Sequence, residues 1–357
     1  MLTEKQILEI KEHLARAQNP VFYYDNDADG LCTFLLFRRF LGRGYGVAIR
    51  SYPDLNATYL RKAEQLKADY IFVLDKPVIA KEFLEEADMV QIPVVWIDHH
   101  NMNLDEVLKE FSKFKNFHLY NNALSIGGGK NGKIENEPTS YVAYKITNRE
   151  EDLWIALIGC IADHYMPDFS AEFSKRYPEF WSKELKKPFD VYYKTEIGRI
   201  AVALNFGLKD SISHVVELQN FLISCKNPNE VFLEMETNKT FRAKYDEIRK
   251  KYNVLLKESK ISDSGKMIYL IYSGDLSISA DLSNELSYLY PEKYILVAYR
   301  KGAITNLSLR GKNVKKVLEK ILKKLENATG GGHDDAVGAR IRTEDLDKFI
   351  KQFEDEI

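Results

Sequence analysis

Acids and imidazoles gather at the ends of apolar runs in this chain. Val94-Val95-Trp96-Ile97 leads into Asp98-His99-His100, Val21-Phe22-Tyr23-Tyr24 leads into Asp25-Asn26-Asp27-Ala28-Asp29-Gly30, and Tyr70-Ile71-Phe72-Val73-Leu74 leads into Asp75. A histidine pair on its own is more often structural than metal-binding, because imidazole fills so many roles. Three segments of one design change that balance. Carboxylates mixed with imidazole suit manganese or magnesium, with manganese preferred for its nitrogen ligands. Two such ions sharing a carboxylate would clamp a phosphoryl group and stabilise both the attacking and the leaving oxygen, so the expected chemistry is phosphoester hydrolysis. The spacing Asp25-x-Asp27-x-Asp29-Gly30 also opens like a calcium-binding EF-hand loop, but the position where that loop needs a bidentate glutamate holds Leu36.

An apolar run that delivers polar groups at its carboxyl end reads as a buried strand of a parallel sheet. Neighbouring strands of an open α/β sheet bring those ends to one crevice, so Asp25, Asp27, Asp29, Asp75, Asp98, His99 and His100 are expected to share it. The pattern between them alternates. It predicts a helix over 3–18 with Thr3 as N-cap, strand 21–25, an apolar helix from Gly30 through Phe40, and a strand near 46–51. A helix near 57–67, the strand ending at Asp75, a helix near 79–87 and the strand ending at Asp98 follow. A helix near 103–113 and a strand near 116–120 complete a doubly wound α/β pattern. Two more helices, near 138–148 and 151–163, end in Ile158-Gly159-Cys160-Ile161-Ala162-Asp163-His164. An acid emerging from such an apolar helix is costly to bury unless a cation pairs with it. The glycine cluster Ile126-Gly127-Gly128-Gly129-Lys130-Asn131-Gly132 lacks the Gly-Lys-Ser/Thr ending of a nucleotide-binding loop and reads as a turn.

From about 165 to 260 the strand signals fade. Phe241, Tyr245, Ile248, Tyr252 and Leu255 form one stripe of a long packed helix. A second α/β unit starts near 266, with strands at Met267–Tyr272, Tyr294–Tyr299 and Ala303–Arg310 and helices near 279–289, 313–326 and 343–356. Between the last two helices, Thr329-Gly330-Gly331-Gly332-His333 would let backbone N–H groups approach an anion, although alone such a run is more often a turn.

The 357 residues carry 51 Lys+Arg against 53 Asp+Glu, so no basic field announces nucleic acid, and a polyanionic substrate would have to be held by metal ions or a local patch. Three widely spaced cysteines suggest neither a disulfide framework nor a zinc cluster. With no run of about 18 apolar residues, the expectation is a cytoplasmic protein without membrane association.

Asp27-x-Asp29-Gly30, Asp75, Asp98-His99-His100 and Asp163, taken in order, resemble the four motifs of the DHH phosphoesterases, and Gly330-Gly331-Gly332-His333 resembles the signature of their C-terminal DHH-associated domain in the RecJ-like and nanoRNase-like branches. The resemblance implies a parallel-sheet catalytic domain over 1–165, a helical insert and linker over 166–262, and a smaller mixed α/β substrate-binding domain over 263–357. It implies Asp27, Asp29, Asp75, His99 and Asp163 as ligands of two manganese ions, with Asp75 as the bridge. Asp98 would support the site and His100 would lie near the scissile phosphate. Ser308, Arg310, Gly331, Gly332 and His333 would contact substrate phosphates, and chemistry would occur between the two domains. Two departures stand out. Where many members have a histidine before the first aspartates, this chain has Tyr23 and Asp25, so Asp25 joins the candidate ligands. Asp75 is followed by Lys76-Pro77, and a cation beside the bridging acid would weaken metal binding or contact a phosphate.

The activity expected is that of a manganese-dependent exonuclease or oligonucleotide phosphodiesterase acting on single-stranded DNA or RNA, with magnesium as the other metal and replication or repair proteins as partners. The alternatives are a cyclic-dinucleotide or bisphosphate-nucleotide phosphodiesterase, and a nuclease-derived scaffold in a replication or repair complex.

Overall fold

The computed structural model describes residues 2–50, 55–125, 137–182 and 184–357, which form two compact units, Met1–Lys244 and Tyr245–Ile357. The glycine cluster 126–132, read as a turn, lies outside the described residues.

The first unit is built on an all-parallel five-stranded sheet of β1 (Pro20–Asp25), β2 (Tyr45–Ile49), β3 (Tyr70–Leu74), β4 (Val94–Asp98) and β5 (Phe117–Asn121), in the order β2-β1-β3-β4-β5. The chain runs outward from β1 to β2 and then crosses to β3. The β1/β3 boundary is therefore the topological switch point, where open α/β sheets bind ligands beyond their strand ends. Around the sheet lie α1 (Glu4–Arg16), α2 (Ala28–Leu41), α3 (Leu60–Gln65), α4 (Lys81–Met89), α5 (Leu104–Phe111), α6 (Asn122–Ser125), α7 (Thr139–Thr147) and α8 (Leu153–Ala162). Thr3 closes a capping box with Gln6 at the start of α1, and Gly42, at φ +71°, ends α2 in the left-handed conformation that glycine adopts without a steric penalty.

The central strands are apolar throughout because both faces are covered. Val21, Tyr23, Ile71, Val73, Val94 and Trp96 pack on Phe83, Leu84 and Phe111, while Phe22 stacks on Phe72 and Tyr24 on Phe34 of α2 on the opposite face. Burial of each such side chain stabilises by about 1.5–3 kcal/mol, so the strand ends rest on a rigid floor.

The helical middle comprises α9 (Ser170–Arg176), α10 (Pro188–Lys194), α11 (Glu196–Gly207), α12 (Ile212–Ser224) and α13 (Lys239–Lys257), the last containing the boundary between the units. Within the first unit its helices are tied to the sheet and to α2 by polar as well as apolar contact. Arg39 of α2 donates to Asp152 at 2.6 Å and to the carbonyls of Ile223 and Cys225 at 2.7 Å, and the Gln219 amide donates to the Tyr24 hydroxyl at 2.6 Å. The expected stripe of α13 is a packed face, with Phe241, Ile248 and Tyr252 buried.

The second unit holds β6 (Lys260–Ile261), β7 (Met267–Ser273), β8 (Tyr294–Lys301), β9 (Ile304–Arg310), β10 (Thr329–His333) and β11 (Ala336–Arg342), in the order β10-β11-β9-β8-β7-β6. Only β7 and β8 pair in parallel. Leu307, Leu309, Val337 and Ile341 face a core shared with α15 (Val314–Leu322) and α16 (Leu346–Glu356), and α14 (Ser279–Leu289) completes the unit. The stretch 329–339, which reads from sequence as a turn, is instead a β-hairpin closed over Asp334 and Asp335. The alternation Val337, Ala339, Ile341 buries β11 and gives β10 a partner, so pairing overrides the glycines' weak strand preference. Among the described residues no helix is long and apolar enough to cross a membrane.

Candidate metal centre

Each strand around the switch point ends in a polar group. At the end of β1, Asp27 caps α2, its carboxylate accepting from the Gly30 N–H at 2.9 Å, and the Ala28 N–H donates to Asn205 of α11 at 2.8 Å. Gly30 is required there, since a Cβ would lie 2.9 Å from the Asp25 nitrogen and closer still to its carbonyl oxygen. Asp29, 3 % exposed, turns to α7, where Thr139 N–H donates to Oδ2 at 2.9 Å and Ser140 donates to Oδ1 through both its N–H, at 3.2 Å, and its hydroxyl. A carboxylate at the first N–H groups of a helix also meets the positive end of its dipole.

Asp75, just beyond β3, sits at φ +57°, a conformation non-glycine residues adopt at a cost and that clusters at functional sites. The turn is held by the Asp75 N–H donating to the Ile97 carbonyl at 3.0 Å. It sets Asp75 Oδ1 3.0 Å from the Thr139 hydroxyl and 3.3 Å from Nε2 of His99, which is also 3.7 Å from Oδ2 of Asp163. Asp163 caps the carboxyl end of α8, where the helix dipole disfavours an anion. From β4, Asp98 grips His100, whose Nδ1 is 2.8 Å from Oδ1 and whose N–H donates to Oδ2 at 3.0 Å. Asn121, at the end of β5, donates to both Asp98 and the His100 carbonyl. Asp75, His99 and His100 each bring a ligand-capable atom within 4.8 Å of the others. Asp25 instead faces Lys76, whose ammonium is 3.0 Å from Oδ1.

Electrostatics record how crowded these acids are. Burial, reinforced by neighbouring carboxylates, pushes the Asp27 and Asp29 carboxyls well up, although Asp27 keeps solvent-accessible surface at the mouth of the crevice. Burial raises Asp163 to about 6. At Asp75 burial acts upward too, but the hydrogen bond and charge of His99 outweigh it and hold the carboxyl down. Burial opposes charge on both histidines, yet Asp75 lifts His99 to about 11 and Asp98 lifts His100 to about 9. Nδ1 of His99 is buried with no hydrogen-bond partner, an orphaned polar atom on the ring whose other nitrogen faces Asp75 and Asp163. Clustered carboxylates, an incompletely satisfied imidazole and an acid at a helix carboxyl end fit a hard divalent cation with one or two nitrogen ligands.

Asp27, Asp29, Asp75, Asp98, His99, His100 and Asp163 thus lie where the sequence reading puts them, at the strand ends and at the end of α8. Sequence reasoning missed the residues that hold them: Thr139, Ser140, Asn121 and Asn205. Asn121 had a visible signal, since it also ends an apolar strand. Thr139 and Ser140 read only as a helix start, and their choice of acid depends on tertiary packing.

In the second unit, strand register gathers the other predicted residues. Arg310 pairs with Ala336, which pairs with His333, and Ser308 pairs with Gly338, which pairs with Gly331. The two rows are two residues apart, so Ser308, Arg310, Gly331 and His333 share one sheet face, while the fifth predicted residue, Gly332, pairs with Val337 and belongs to the other. Arg310 donates to Asn284 of α14 at 2.7 Å. A Cβ at Gly331 would meet nothing within 4 Å, so that glycine leaves open surface on an exposed strand.

Residues 265–357 match the DHHA1 domain family. No curated protein sequence matches the chain. Among solved structures it is similar to RecJ from Thermus thermophilus in complex with Mn2+ (TM-score 0.67, 14% identity), covering 98% of this chain and 53% of that one, so it spans about half of that RecJ's length. It is also similar to the pGpG-specific phosphodiesterase PggH from Vibrio cholerae (TM-score 0.51, 13% identity, 95% of this chain and 100% of that one) and to CDC45 from Entamoeba histolytica (TM-score 0.51, 12% identity, 99% and 98%). The chain has the fold of the DHH-family phosphoesterases and carries a DHHA1 domain over residues 265–357.

Proposed function

We propose that the chain is a manganese-dependent phosphodiesterase that hydrolyses single-stranded nucleic acid or short oligonucleotides, an exonuclease or oligoribonuclease in type. The observation that carries this reading is the convergence of Asp75, His99 and Asp163, with Nε2 of His99 3.3 and 3.7 Å from the two acids and its Nδ1 orphaned in the interior. Asp27, Asp29, Asp75, His99 and Asp163 would hold the metal, manganese by preference and magnesium as the other choice. When bound, such a cation neutralises charge on the phosphoryl oxygens and lowers the pKa of water.

The chain's own groups supply the rest. Thr139 and Ser140 orient Asp75 and Asp29 by hydrogen bonds, which fixes where the donor oxygens point. Asp98 fixes the His100 ring through Nδ1 and keeps it protonated near neutral pH, leaving Nε2 as the polar atom that can give a proton to the departing oxygen. In the DHHA1 unit, Arg310, His333 and Ser308, with the open surface at Gly331, form a face suited to phosphate oxygens, and Gly332 shapes the hairpin that carries them. RecJ structures carrying Mn2+ and Mg2+ support the choice of metal. The cysteines Cys32, Cys160 and Cys225, all buried and unbonded, suit a reducing cytoplasm.

A dinucleotide phosphodiesterase is the second reading, favoured because the similarity to PggH runs over the whole of that chain. The scaffold reading calls for loss of the acid–histidine cluster, and the cluster is retained. Hydrolysis of bis(p-nitrophenyl) phosphate tests the chemistry without choosing a substrate. Wild type with manganese should turn it over, and Asp75→Asn should lose at least about 100-fold, the range for removal of a transition-state charge stabiliser. Equal rates in the two proteins would refute the reading.

A further inference from the structure

Lys76 stands out in the first unit as a lysine with 2% exposure, placed among acids. Its position is built rather than incidental. Asp75 turns the chain through a left-handed backbone conformation, Pro77 restricts Lys76 to extended backbone, and the Trp96 indole donates to the Lys76 carbonyl at 2.8 Å. The side chain so placed delivers its ammonium to Asp25 Oδ1 at 3.0 Å, and that same oxygen accepts from the Asn26 N–H at 3.0 Å. Both lone pairs of that oxygen are then in use.

We infer that Lys76 takes the place of one divalent cation: its ammonium, fixed on Asp25, supplies the positive charge on that side of Asp75, and the carboxylates bind one manganese ion rather than a pair. The inference deepens the proposed metal-dependent chemistry and rests on it. A metal bonded through Asp25 Oδ1 at about 2.1 Å, the distance of a tight octahedral oxygen site, would lie no more than about 5 Å from the ammonium. In a poorly hydrated interior that repulsion is strong. At Asp29 and Asp163, among the described residues, no lysine or arginine forms an ion pair, and His99 is the basic group there. Asp29 accepts three donors but keeps a further acceptor site, Asp163 is partly open to solvent, and Nε2 of His99 reaches both Asp75 and Asp163. Asp25 is on this account the counter-ion of Lys76 rather than a ligand.

Manganese stoichiometry is the test, read by elemental analysis after gel filtration and by electron paramagnetic resonance at low temperature. Wild type is expected to hold one ion per chain with an uncoupled six-line spectrum. Lys76→Met is expected to take up a second ion and show the spectrum of a coupled pair, and Lys76→Gln serves if the methionine variant does not fold. Two coupled ions in wild type would overturn the inference whatever the variants do, and one ion in a folded Lys76 variant would overturn the role given to the ammonium. No bound ion in wild type would refute the metal-dependent reading itself.

Discussion

At the scale of single residues, the acids of the first unit are legible in sequence because each follows an apolar run, whereas the role of Lys76 is not. Lysine after a strand-end aspartate says nothing about which way its side chain turns; that depends on the Asp75 turn, on Pro77 and on the grip of Trp96, which meet only in the fold. His13 is another residue whose meaning comes from packing. Its ring lies against His118, with centroids 4.2 Å apart, and burial, with the charge of its neighbour, lowers its pKa to about 4. His13 is therefore neutral in the folded protein, while the unfolded chain takes up a proton below about pH 6.5. Its contribution is complete above that pH and is lost as pH falls toward 4. At pH 5 the difference is about 1–2 kcal/mol. Urea unfolding should accordingly show wild type losing stability between pH 7 and pH 5, and His13→Phe should flatten that slope. Parallel slopes would mean that His13 is protonated in the folded state.

At the scale of elements, periodicity and strand-end chemistry were enough to lay out the parallel sheet, because strands with both faces covered are apolar without interruption. The β10–β11 hairpin escaped, since glycine carries no face to read and only the partner strand reveals the pairing. The fold also separates glycines that sequence treats alike. Gly332 has φ +138° and a Cβ there would lie 2.6 Å from the Ala336 carbonyl oxygen, while Gly331 has open space. Gly332→Ala should cost about 1–3 kcal/mol of stability in a denaturant titration. Gly331→Ala should leave stability within about 0.5 kcal/mol and raise KM for an oligonucleotide several-fold, because the added methyl occupies the surface that a phosphate would approach. Unchanged KM would remove Gly331 from the substrate face.

At the scale of the whole molecule, the first unit carries the acid–histidine cluster and the second carries the arginine, histidine and open glycine, each within its own core. The order of the motifs along the chain and the helical character of the middle were legible; the contacts of that middle were not, because they are made through Asn205, Gln219 and the carbonyls that bind Arg39, contacts without a sequence signature. If the cluster is a metal site, manganese stabilises the folded state by mass action, by about 2.7 kcal/mol at a concentration one hundred times Kd. Scanning calorimetry should show wild type gaining several degrees in Tm with manganese and returning to baseline with chelator, and Asp75→Asn losing most of the gain. A gain of the same size in the variant would place the binding elsewhere. The most direct measurement sets wild type against Asp27→Ala with manganese on 5′-labelled single-stranded RNA and DNA ladders, from dinucleotide to about 20 nucleotides, a span of one to several single-strand site sizes. The account predicts hydrolysis by wild type that Asp27→Ala abolishes, with the length profile distinguishing an exonuclease from a dinucleotide phosphodiesterase; intact ladders at every length, or equal cleavage by the two proteins, would contradict it.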